Sequence, residues 1–243
     1  MTTILSSIPQ LSAVDLFANN TTQQMPLGSY VETSDGRGFR YCKVGGTSTV
    51  AGKVYQSSAL DATNYQPSGG LGVAAAAIGD TTVTISTSTT IALNALAGGY
   101  MSVDVTPGQG YLYLIAGNTA TAGATGCVIT LADPIKVALT TSSKVIVTPH
   151  CYSGVVVEPG TPTGVIVGVA PSIITNANYG WMQTFGATSV LFTGTGVAGK
   201  AVGSLSGGTS GSAAPAIAAT NILGYHIATG ITGEYALVFL TIH

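Results

Sequence analysis

The sequence predicts an all-β chain: an antiparallel β-sandwich or barrel framework with a second, small β-barrel-like module inserted in it. Three observations carry this expectation. Short apolar or alternating runs recur between Gly, Pro, Asn and Thr breakers, as strands joined by turns do. No sustained 3.6-residue periodicity marks a helix. At Leu71 the texture changes from a charged, aromatic opening to Ala, Val and Thr. The expected organisation is an arm over 1–26, a framework over 27–67 plus 151–243, and an inserted module over 71–150. A chain of 243 residues buries enough surface to fold without metal or disulfide.

Residues 1–26 lack strand alternation, so the arm should be ordered by contact with something other than a core of its own. Ser12 to Phe17 suits a short helical turn. Tyr30 to Thr33 and Phe39 to Val44 flank Ser34-Asp35-Gly36-Arg37, and Asp-Gly is a strong hairpin signal. Phe39 and Tyr41 alternate there with Arg40 and Cys42, which makes one face aromatic. Ala51 to Gln56 reads as a strand and 57–70 as a loop. In the module, Thr82 to Ser86, Gly99 to Val105, Tyr111 to Ile115, Cys127 to Leu131, Lys136 to Leu139 and Lys144 to Val147 read as strands. Ile91 to Leu96 fits a strand or a helical turn. Beyond it come Val155 to Val157 and Val165 to Val169. Tyr179 to Thr184 and Ser189 to Thr193 read as a hairpin turning at Phe185-Gly186-Ala187-Thr188. Ser204 to Ala214 is a Gly/Ser-rich loop. Tyr235 to Leu240 is almost continuously apolar, as in a strand covered on both faces. The expected core anchors are Phe39, Tyr41, Trp181, Phe185, Tyr235 and Phe239.

Charged residues make up 7% of the chain, against about 25% in ordinary soluble domains. Net charge is −2, so no basic field points to nucleic acid. No apolar run approaches the roughly 20 residues of a membrane span, and no secretory signal opens the chain. A surface with so little charge resists association poorly, which implies that other protein covers much of it. Eight of the sixteen charges (seven basic plus nine acidic) fall in the first 61 residues. Phe17, Glu32, Asp35, Arg37, Arg40 and Lys43 are therefore the expected partner contacts.

Catalytic signals are weak. Gly194 to Lys200 fits G-x-x-x-x-G-K, but a phosphate-binding loop needs a hydroxyl next and a helix to cradle phosphate. Ala201 follows, then a Gly/Ser-rich stretch, so the run reads as a turn with a solvated lysine. His150 and Cys151 would face opposite ways on a strand, which opposes a Cys–His pair. Three scattered histidines and three separated cysteines suggest no metal, disulfide framework or cofactor. The Thr-rich run 82–90 lacks the repeat of an ice-binding array.

Three stretches together resemble a known family: Leu27 to Tyr41 with Val50-Ala51-Gly52-Lys53-Val54-Tyr55-Gln56; Tyr179-Gly180-Trp181-Met182-Gln183-Thr184-Phe185-Gly186; and Gly224-Tyr225-His226-Ile227-Ala228 with Gly233-Glu234-Tyr235. Gly98-Gly99-Tyr100 and Leu131-Ala132-Asp133-Pro134 share the same character. They resemble virion structural proteins of tailed bacteriophages, in the capsid decoration or cement group, over most of 27–243. The resemblance implies a non-enzymatic protein on the outside of the major capsid protein lattice, made in the host cytoplasm and stabilising the shell. It carries over no catalytic residues. Self-association as a dimer or trimer is expected, with the arm as a clamp. A tail fibre or receptor-binding adhesin is the alternative, although neither triple-helical repeats nor a coiled-coil entry is present.

Overall fold

The computed structural model describes residues 15–59, 61, 65–88, 90–122, 126–204, 209–217 and 221–242. Every regular element among them is a strand. In chain order these are β1 (Tyr30–Glu32), β2 (Gly38–Val44), β3 (Val54–Gln56), β4 (Leu71–Gly72), β5 (Thr82–Ile85) and β6 (Tyr100–Val105). Next come β7 (Leu112–Asn118), β8 (Cys127–Leu131), β9 (Lys144–Thr148), β10 (Ser153–Val157), β11 (Ile166–Val169) and β12 (Tyr179–Leu191). The last are β13 (Thr195–Gly196), β14 (Ala201–Ser204), β15 (Ala213–Pro215), β16 (Ile222–His226), β17 (Gly230–Ile231) and β18 (Tyr235–Thr241). The chain divides into two compact units, Met1–Ala59 with Cys151–His243, and Leu60–His150.

The first unit contains a closed five-stranded barrel. β2 pairs in parallel with β10, β10 with β3, β3 with β11, β11 with β12, and β12 returns to β2. Cys42, Val44, Tyr55, Val155, Val167 and Met182 form one core with a contribution from all five strands. Closure leaves few unpaired strand edges, which a chain so poor in charge has little means of protecting otherwise. β1 folds onto β2 as the Asp35–Gly36 hairpin, with Arg37 paired to Asp35 at 2.8 Å.

β12 is one continuous strand rather than the expected hairpin. Its first half pairs with β2, and from Phe185 to Leu191 it pairs with β18. The register shifts between Gln183 and Phe185, and Gly186 sits at φ 84°. The glycine therefore accommodates a bulge instead of a turn. A Cβ there would press on the Arg37 Cα and the Gly36 oxygen at 3.0 Å. Beyond β12 the sheet continues through β18, β16, β14 and β15, and a parallel bridge from Phe192 to Ala213 leads back to the end of β12. Val190, Phe192, Val202, Leu223, Val238 and Leu240 are buried together beneath this sheet. The expected Gly/Ser loop over 204–214 thus begins in β14 and ends in β15, and residues 205–208 lie outside the described residues.

The described part of the arm, from residue 15 onward, is ordered by the chain's own framework. Asn20 and Tyr179 exchange backbone hydrogen bonds of 2.9 and 2.8 Å. The Asn19 side chain bonds Thr175 and Asn178, and the Gln24 amide donates to the Tyr41 hydroxyl. Leu16, Met25 and Leu27 cover the cluster of Val31, Phe39, Tyr41 and Trp181. Residues 12–14 of the expected helical turn lie outside the described residues; Leu16 and Phe17 form a simple turn.

The second unit is a six-stranded sheet in the order β4-β9-β6-β7-β8-β5. It nearly closes through the Val73–Ile85 bridge, where Ser86 N donates to Gly72 O at 2.8 Å and Ala74 N to Thr84 O at 2.9 Å. Period-two alternation aims Val83, Ile85, Met101, Ile115, Ile129, Val145 and Val147 into one core. One expectation changes, and another is decided between its two alternatives. Lys136 to Leu139 is not a strand, and only Leu139 bridges to Ala76. Ile91 to Leu96 is a turn held by buried Asn118, whose side chain accepts from Leu96 N and donates to Ala92 O.

Trp181 is 2% exposed and meets Tyr41 edge-on at 5.1 Å. Trp181→Ala should cost about 3–5 kcal/mol in chemical denaturation; a loss under about 1 kcal/mol would refute its role as an anchor. Removing 1–26 should lower the melting temperature by uncovering Tyr41 and Trp181, whereas removing 1–14 leaves those contacts intact. Equal melting of the two truncations would contradict the covering role of 15–26.

Candidate functional site

The sheet built on β12, β18 and β16 has one buried and one open face. β18 does not have the two covered faces its composition suggests. Ala236, Val238 and Leu240 are buried, while Tyr235, Leu237 and Phe239 are 52%, 43% and 39% exposed. Tyr235 and Phe239 are therefore not core anchors, because strict alternation turns them outward. Cross-strand register places Tyr225, itself half exposed, beside Phe239, and Phe239 beside Ala187. Leu237 stands opposite Ser189, and Tyr235 opposite Leu191. Phe185 is half-buried and meets Phe239 edge-on at 5.2 Å. The result is a row of large apolar side chains, Tyr225, Phe239, Leu237 and Tyr235, each between about two fifths and one half exposed.

Alongside this row runs a groove of about 540 Å³ lined by Phe17, Arg37, Ala187, Ser189, Tyr235 and Leu237. Arg37 is its one charged wall among the described residues. The guanidinium is held by Asp35 at 2.8 Å and lies 5.7 Å from the centre of the Phe39 ring. The Asp35 carboxyl is held below its usual range, first by the Thr33 hydroxyl and then by Arg37. The groove therefore offers apolar surface and backbone more than free charge.

Of the expected contact residues, Phe17 and Arg37 meet at the groove, and Asp35 accompanies Arg37. The others do not converge there. Arg40 donates to Gly28 O at 2.9 Å and lies over the Tyr30 ring, and Lys43 lies over the Tyr179 ring. Glu32 is half-buried at the end of β1. These basic groups on β2 lie against aromatic neighbours of their own chain. Phe39, Tyr41 and Trp181 are buried as anchors. Sequence reasoning did not single out Leu237 or Tyr225. The usable signal was the contrast on β18 between small Ala236 and Val238 on one side and Tyr235, Leu237 and Phe239 on the other.

Gly194 to Lys200 makes no phosphate cradle. Thr195–Gly196 pairs with Gly230–Ile231, Lys200 is exposed, and a strand follows instead of a helix. Cys151 lies in a turn that follows His150, and neither is on a strand. Burial pushes the Cys42 thiol up to about 12, far from a nucleophile's range. Among the described residues no group of three or more His, Cys, Asp or Glu is placed to hold a metal. No family model matches the chain, and neither a curated protein nor a solved structure matches it.

One ionisable group stands apart from the groove. Glu158 is fully buried and neither carboxyl oxygen has a hydrogen-bond partner. Desolvation raises its pKa, and the nearby backbone amides of Gly160 and Gly211 oppose this only in part. The folded chain thus holds the Glu158 proton more tightly than the unfolded chain does. Its contribution to stability is full below the ordinary glutamate value of 4.5 and is lost as pH rises through the raised folded value. Glu158→Gln should flatten this fall in a series of melts at increasing pH; an unchanged slope would rule Glu158 out as its source.

Proposed function

We propose that this chain is a structural protein of a bacteriophage virion that seats on the outside of the major capsid protein lattice and stabilises the shell. The observation that carries the reading is the half-exposed apolar row Tyr225, Phe239, Leu237 and Tyr235 with the adjoining groove. An apolar strand face whose groove has one charged wall among the described residues, Arg37 already paired with Asp35, suits a protein partner better than a charged or small polar ligand. Its composition agrees: with so few charges, the chain gains by having surface covered. The phage assignment rests on the Gly-and-aromatic stretches around Tyr30 to Tyr41, Trp181 and Tyr225. In this reading the chain has no catalytic role and needs no cofactor. Each bound copy stabilises the lattice by mass action, and repetition over many sites turns a modest contact into a durable one.

The test is co-sedimentation of the purified chain with shells of the parent phage stripped of it. The unaltered chain should saturate the shells. A Leu237→Asp, Phe239→Asp double variant, placed on outward positions, should bind at least about tenfold more weakly, a loss of roughly 1.4 kcal/mol. Its thermal melt should stay unchanged. Absence of binding by the unaltered chain, or equal binding by the variant, would overturn the reading. Decoration of the tail instead of the shell in imaged virions would favour the adhesin.

A further inference from the structure

The short ladder of β13 and β17 covers two aromatic rings. Gly196 and Gly230 stand opposite each other in it. A Cβ on Gly196 would overlap Cε1 and Nε2 of His226, and a Cβ on Gly230 would meet the Phe192 ring at 2.9 Å. His226 in turn meets Phe192 edge-on, with ring centres 4.7 Å apart. The ladder therefore works as a thin cover pressed directly on an imidazole and a phenyl ring. His226 is 3% exposed, and neither ring nitrogen has a hydrogen-bond partner.

The surroundings offer a positive ring no anion, and only the Ala228 backbone favours it. β12, β13, β14, β17 and β18 carry no charged side chain, and β16 carries none besides His226 itself. The connecting turns contribute Lys200 and Glu234, both exposed. These meet the cluster through backbone: Lys200 O accepts from His226 N at 2.9 Å, and Glu234 O accepts from Phe192 N at 2.8 Å. Tyr225 and Tyr235 are on the opposite, open face. An imidazolium enclosed here would lose hydration and gain no anion, which the ladder can relieve only by moving away. The cover is also short. It is tied by two residue pairs, the Gly199 N bond to His226 O, the Gly233 N bond to Phe192 O, and the bonds between Gly194 and the Thr232 hydroxyl.

We propose that the β13–β17 ladder is an acid-released flap: neutral His226 lets it close over Phe192, and protonation of His226 opens it and exposes that end of the apolar core. The inference is independent of the capsid reading, since it concerns a different surface and needs no partner. The sign follows from linkage. Burial holds the closed-state imidazole below its usual value of 6.5, with the Ala228 backbone opposing weakly. Closure is favoured fully above that value and is lost as pH falls through the closed-state value.

Amide hydrogen exchange on the full chain at pH 7.5 and 5.0, corrected for intrinsic rates, tests this. Protection at Gly194, Gly199 and Gly233 should fall by up to about tenfold per pH unit below the ordinary imidazole range, while amides of the β12–β18 ladder hold. In His226→Leu the flap should keep its protection at pH 5.0. If that variant does not fold, the His226 Cε1 proton resonance of the unaltered chain supplies the readout. It should titrate below the ordinary value, in step with flap exchange. The proposal is overturned if flap protection is insensitive to pH or falls equally in His226→Leu. It is also overturned if the loss spreads to β12–β18, or if His226 titrates at or above its ordinary value.

Discussion

The rest of the first unit depends on β12 carrying two ladders on one strand. At Phe185 the chain faces Gly38 on β2 and Thr241 on β18. Before that residue β12 completes the five-stranded barrel; after it, β12 begins the sheet over Val190, Phe192 and Leu223. A strand alternates its faces with period two, so an unbroken pleat would carry one facing pattern through both halves. The register shift at Gln183–Phe185 and the left-handed Gly186 reset the strand where its partner changes. Trp181 and Val190 can then both be buried, in separate clusters.

Much of this organisation was legible in the residues. The all-β class and the Asp35–Gly36 hairpin follow from local chemistry, and local chemistry was enough. The short strands of 71–150 follow from alternation that points into a single core. What was not legible was tertiary. Phe185-Gly186-Ala187-Thr188 has turn composition, and nothing local distinguishes a turn from a bulge when the deciding factor is a second partner strand 50 residues downstream. The same holds for β18. Six consecutive apolar residues are compatible with two covered faces, and which face lacks cover depends on what the rest of the chain places beside it. Lys136 to Leu139 has strand composition but, among the described residues, makes a single β-bridge, from Leu139 to Ala76. For the candidate site, Phe17 and Arg37 were accessible to reasoning from exposure and charge, whereas Leu237 and Tyr225 required the register.

The distribution of charge gives the surface its character. The first unit places Arg37 just before β2 and Arg40 and Lys43 on it, with aromatic rings of β2, β1 and β12 against them. The open face of β18 is left almost without ions. Surfaces of this kind discriminate by shape and dryness more than by long-range attraction, so association through them is short-ranged and little affected by salt. The Asp35–Arg37 pair at the groove is closed on itself, which keeps a cation near the apolar wall without leaving it to seek an outside acid.

The five-stranded barrel also constrains the order of synthesis. Its β2 is made early, yet the strands that flank it, β10 and β12, follow more than a hundred residues later. The barrel cannot close until both have left the ribosome. Residues 60–150, by contrast, form a contiguous unit whose described strands pair with one another. On a growing chain the inserted unit is therefore complete first, while Phe39 and Tyr41 wait for Trp181. Pairings this distant in sequence close slowly because a long loop must be ordered before any contact rewards it. Val147 N donates to Tyr65 O at 3.0 Å near the two ends of the insert, so once it has folded the loop to be ordered is far shorter than its sequence.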